Sequence, residues 1–111
     1  MFETEVIPSF QWFLNSDETG NEDFLSEHAG MPEELPFFRV GGFFETLGAL
    51  VKRKVVPLAL VEDMFHGVIH RGWLKAQKPI EEYRNRTKHR GFMEWFEYIY
   101  RKTEECRKST H

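Results

Sequence analysis

RVGGFFETLGALVKRK (residues 39–54), LVEDMFHGVIHRGW (60–73), KPIEEYR (78–84) and FMEWFEYIY (92–100) carry the pattern that decides the fold of this 111-residue chain. Phe37, Val40, Phe44, Leu47 and Val51 recur at steps of three and four, which lines up one face of a helix. The spacing predicts a helix from about Pro36 to Lys52. Gly41–Gly42 weakens it by about 1 kcal/mol per glycine relative to alanine, so a kink or a close helix contact is expected there. Lys52, Arg53 and Lys54 close the helix where cations meet the negative end of the macrodipole. Pro57 opens the next helix at little hydrogen-bonding cost. Its broad apolar face is Leu60, Val61, Met64, Phe65, Val68 and Ile69, with Trp73 at the edge. Pro79 is expected to start a shorter helix holding Ile80 and Tyr83. A last helix, from about Gly91 to Cys106, buries Phe92, Trp95, Phe96 and Ile99. No segment alternates with a period of two. The expected fold is all-α, a compact bundle of about five to six helices with Phe44, Leu47, Phe65, Trp73, Trp95 and Phe96 in one core.

Upstream of this block the character changes. Residues 1–38 hold nine acidic residues and no Lys or Arg, leaving nine acids and all fifteen bases to residues 39–111; the parts carry −9 and +6, which sum to the net −3. A short helix is expected over Ser9–Asn15, with Ile7, Phe10, Phe13 and Leu14 at helical spacing and Trp12 beside them. A second follows Asn21, a suitable N-cap with Phe24 and Leu25 behind it. SDETGN (16–21) and AGMP (29–32) read as loops. The chain is thus read as an acidic helical arm, residues 1–35, on a helical core, residues 36–111. The acids either fold over the basic part and lower its field or form an interaction segment for a basic partner.

Composition narrows the function classes. With 41% apolar and 15% aromatic residues the chain has material for a folded core. Its longest uncharged apolar run, Val55–Val61, is far short of a bilayer span, so no membrane insertion is expected. MFETEVIPSF lacks the basic and apolar regions of a signal peptide. A single cysteine, Cys106, cannot make an internal disulfide, and the cytoplasm is the expected location. GxxxxGK[ST], GxGxxG and GxSxG are all missing, and Cys106 has no convincing histidine partner. Neither enzymatic activity nor a cofactor is expected.

Several motifs fall in a recognisable order: Phe44, Glu45 and Gly48; Leu60, Val61 and Phe65; Arg71 and Trp73; Lys78, Pro79, Ile80, Glu81 and Glu82; Phe96 and Glu97. Over about residues 39–104 the chain resembles a bacterial family of small all-helical domains of unknown function, found alone or behind membrane helices. The RKVVP turn and the shortened KPIEE motif depart from that family's pattern, and His66 and His70 have no counterpart in it. The resemblance implies a helical fold and no reaction.

Four sets of residues are candidates for chemistry. Glu62, His66 and His70 form an E-x3-H-x3-H row on one helix face, a weak metal candidate that would need a further ligand; Gly67 stands where a metalloprotease helix needs its glutamate. Asp63, Arg71, Glu45 and Glu97 are an acid–base set if buried together, and otherwise inter-helical ion pairs or caps. Arg84, Arg86, Lys88, His89 and Arg90 beside Tyr83 form a basic, aromatic run suited to phosphate contact and base stacking. A helix end with an ordinary Glu82–Arg86 pair explains the same residues. Finally, eleven Phe, three Trp and three Tyr exceed what one buried face per helix accommodates. Phe38, Phe43 and Tyr100 are therefore the expected partner-contact residues, in a homodimer or beneath a protein partner. The reading is a non-catalytic helical interaction or regulatory domain acting through protein–protein contacts, with a small nucleic-acid-binding module as the alternative.

Overall fold

In the computed structural model, the residues described are 11–13, 15, 20–32 and 34–109. Their regular elements are helices, with no strand among the described residues: α1 spans Phe24–Glu27, α2 Glu34–Lys52, α3 Leu58–Thr87 and α4 Glu94–Ser109, and residues 11–13 and 15 are helical as well. Ile7, Phe10, Leu14 and most of the loop at 16–19 lie outside the described residues.

α4 is the hub, packed against both α2 and α3. The stripe read along residues 37–51 is the face it meets: Phe37, Val40, Phe44 and Val51 are buried, and Leu47 lies half-buried at the edge. Phe44 stacks on Phe96 at 4.7 Å and Trp73 meets Phe96 edge-on at 5.3 Å. Gly72 sits against both Phe rings, so three helices converge on one aromatic cluster. α2 runs without a break through Gly41–Gly42. Gly41 lies tight against the Met93 side chain, the close contact expected there, and the closest backbone approach comes about two turns further on, at Gly48, where a Cβ would stand only 2.0 Å from the Trp95 carbonyl oxygen. Hydrogen on the Gly48 α-carbon is thus what lets the α2 and α4 backbones touch.

Three expectations are corrected. Pro79 does not start a helix; it is buried inside the 30-residue α3. Its ring removes the bond to Lys75, but its fixed φ is helical, and the burial of Ala76 and Ile80 on either side holds the backbone in place. Leu60 and Met64 are not part of the buried face of α3: they are 49% and 62% exposed, whereas Val61, Ile69, Trp73, Ala76 and Ile80 are buried. Trp73, expected at the edge, is therefore central. Trp95 is half-buried and outside the core, its ring packed edge-on against Tyr98, because α4 presents its backbone, rather than that side chain, to Gly48. Phe65 lies at the core's margin.

Before α2, Phe13 and Phe24 each place a ring 5.5 Å from Phe37, and Trp12 packs on Phe24. This holds α1 against the first turn of α2.

Candidate functional site

The polar groups cluster where α4 begins. Met93 sits at the helix N-terminus in a left-handed conformation (φ 59°), with Glu97 N–H donating to its carbonyl. That backbone turns the Met93 side chain inward against Gly41. It also leaves the helix with no capping side chain of its own, since methionine has no oxygen to accept the first N–H groups. Glu45, from the middle of α2, supplies the cap: its Oε1 accepts from Trp95 N and Phe96 N, both at 2.9 Å. Burial raises the Glu45 carboxyl above its ordinary value of 4.5; those two N–H groups oppose the shift, Glu94 adds to it and Arg84 opposes it.

Arg84 completes this corner. Its Nε donates to the Phe92 carbonyl at 2.8 Å and its guanidinium pairs with Glu97 at 2.9 Å, so one side chain ties α3, the connecting turn and α4 together. Arg101 holds the other Glu97 oxygen. The acid–base set is thus only partly assembled: Glu45 and Glu97 meet an arginine, but it is Arg84. Asp63 and Arg71 are exposed on α3, where Arg71 Nε reaches the Gly67 carbonyl at 3.4 Å.

The basic run does not form one surface. Arg84 is half-buried in the corner just described. Arg86 pairs with Glu82 at 2.9 Å and lies 5.4 Å over the Tyr83 ring, and Arg90 donates to Asn85. His89 packs near Phe92, and Lys88 is exposed in the left-handed position that ends α3.

In the histidine row, His70 Nδ1 lies 3.0 Å from Glu104 Oε2, which Arg107 also approaches. Glu62 and His66 are half-buried nearer the start of α3. Among the described residues no group of three or more His, Cys, Asp or Glu side chains is placed to hold a metal.

Phe38, Phe43 and Tyr100 are half-buried within the chain's own aromatic packing. Phe38 meets Phe37 and Phe92, Phe43 meets Phe44 and Phe65, and Tyr100 stacks on Trp73 at 5.9 Å. The large apolar side chains that stand out are aliphatic: Met31, Leu35, Val55, Leu60, Met64 and Leu74. Leu60, Met64, Gly67, Arg71 and Leu74 follow one another at steps of four and three along α3, and every one is exposed. The sequence did hold the signal: Leu60, Val61, Met64, Phe65, Val68 and Ile69 cover too wide an arc for one neighbour to bury.

A groove of about 480 Å³ lies where α2 turns into α3. Val51, Val56, Pro57, Leu58 and Tyr98 line it, together with Lys54 and Lys102. Lys52 and Lys102 stand over the Tyr98 ring at 5.7 and 5.8 Å. No described helix is long and apolar enough to cross a membrane.

The fold and its surfaces define a helical domain whose polar clusters fasten its own elements. Residues 9–103 match the family described as Domain of unknown function (DUF4760), and the chain belongs to that family. No curated protein and no solved structure matches it.

Proposed function

We propose that the chain is a non-catalytic, cytoplasmic interaction domain that works through protein–protein contact along the outer face of α3. The observation that carries this reading is the row Leu60, Met64 and Leu74, each about half exposed or more, on one line of a 30-residue helix. With Gly67 and Arg71 between them, the row advances by four and three residues in turn, close to the three-and-a-half-residue repeat by which one helix packs along another. Gly67, within the row, has nothing within 4 Å of where a Cβ would stand, which leaves a notch for a partner's side chain. An amphipathic helix of another protein fits such a face. Exposed apolar groups lined up in this way are costly to leave in water and mark contact surfaces.

Phosphate contact through Arg84, Arg86, Lys88 and Arg90 has less support, since three of the four cations already have partners within the chain. The test is site-specific photo-crosslinking in the native cell. A crosslinker at Met64 or Leu74 is expected to give a discrete protein adduct, and one at exposed Lys108 is expected to give none. Equal, diffuse labelling at all three positions overturns the reading.

A further inference from the structure

The two ends of α2 carry exposed charges of opposite sign that have no counter-ion among the described residues. At its C-terminal end Lys52, Arg53 and Lys54 are all exposed, and among the described residues none forms an ion pair. Lys54 and Val55, the latter 66% exposed, line the apolar groove there. At the other end Glu22, Asp23 and Glu27 are exposed and equally without ion pairs among the described residues, and Met31 and Leu35 project at 48% and 51% exposure. The packing of Phe24 on Phe37 at 5.5 Å fixes this acidic end at the first turn of α2.

The helix itself keeps the patches apart. From Leu35 to Arg53 it rises about 27 Å at roughly 1.5 Å per residue, more than two screening lengths of about 10 Å in moderate salt. Within one molecule the acidic end cannot neutralise the basic one. Between two molecules it can, because each end presents what the other lacks: exposed acids and protruding Met31 and Leu35 on one, lysines along an apolar groove on the other. A cleft of this size is large enough to receive an aliphatic side chain.

We propose that the groove formed by Val51, Val56, Leu58 and Tyr98, with Lys52 and Lys54 beside it, takes the Met31/Leu35-bearing acidic end of a second copy of this chain. The contact is head-to-tail. Each molecule then keeps one groove and one acidic end open, so the association grows beyond two copies into a ring or an open chain.

The test is sedimentation of the full chain at low and high salt, with charge-reversed variants. At low salt the weight-average mass is expected to rise with concentration past that of a dimer, and to fall to the monomer in high salt, where the screening length shrinks to about 3 Å. K52E/K54E and D23K/E27K, all at exposed positions, should each weaken the association by at least about tenfold, because reversal sets like charges face to face. An equimolar mixture of the two variants is expected to restore it, since each groove again meets an end of opposite sign. A chain that stays monomeric at low salt, a closed dimer, or a mixture no larger than its components overturns the proposal. So does an association that survives both reversals and disappears with Met64→Lys, which assigns the contact to α3.

Discussion

At the scale of single residues, two glycines on α2 differ in what surrounds them. A methyl at Gly42 would meet nothing within 4 Å, whereas one at Gly48 would sit 2.0 Å from the Trp95 carbonyl oxygen, a backbone atom that cannot swing away. Gly42→Ala is expected to stabilise the domain by up to about 1 kcal/mol through helix propensity. Gly48→Ala is expected to destabilise it by at least about 1–3 kcal/mol, because α2 and α4 must move apart. Urea denaturation of the two variants reads the contrast directly, and equal midpoints would rule out the close approach. Glu45 gives a pH-dependent counterpart. Its folded-state pKa is raised above the ordinary 4.5, so between those two values the native state binds more protons than the unfolded chain. Stability contributed by this group therefore falls as pH rises from below 4.5 through the folded pKa. Glu45→Gln keeps an acceptor oxygen for the α4 cap and removes that titration. Relative to the variant, the parent should lose stability as pH rises above 4.5, read from denaturation midpoints taken across that rise, whereas parallel profiles would remove Glu45 as the source.

At the scale of elements, α2 ends as helices commonly do but with an uncommon residue. Val55 N bonds the Leu50 carbonyl at 2.9 Å and Lys54 N bonds that of Val51 at 3.0 Å, the paired bonds of a glycine-type helix stop. Lys54 occupies the left-handed position (φ 60°), where a side chain costs about 1 kcal/mol. Lys54→Gly is thus expected to raise thermal stability by about 0.5–1 kcal/mol while weakening salt-sensitive self-association, so one substitution moves the two readouts in opposite directions. α2 was legible in the sequence because its buried residues keep to one stripe at helical spacing along the whole element. α3 was not, because proline is read as a local helix start, and only the burial of Ala76, Pro79 and Ile80 keeps the helix running through it. The Glu45 cap was equally illegible, being formed across 50 residues of sequence by a side chain with no local role.

At the scale of the whole molecule, stability rests on the junction of α2, α3 and α4. Phe96 is fully buried against Phe44 and Trp73, so Phe96→Ala should cost about 3–5 kcal/mol. That is a large share of the roughly 5–15 kcal/mol available to a domain. Trp95, larger but half-buried, should cost less. Calorimetry of both variants checks the order, and a Trp95→Ala melting temperature below that of Phe96→Ala would reverse the helix phase described for α4. By contrast, Leu60, Met64 and Leu74 contribute little to folding. Replacing all three with Lys should leave the melting temperature within a few degrees of the parent and abolish crosslinking to a partner.

The sequence alone determined the helical class, the stripe of α2 and the division of charge between residues 1–38 and the rest, because helical periodicity and composition are properties of neighbours along the chain. Tertiary structure decided the rest. The side of α3 left in water, the oxygen that caps α4 and the partners taken by Arg84 and His70 all depend on which helix lies opposite. The two charged ends of α2 stay apart because a rigid rod lies between them, a fact about distance that no local pattern records.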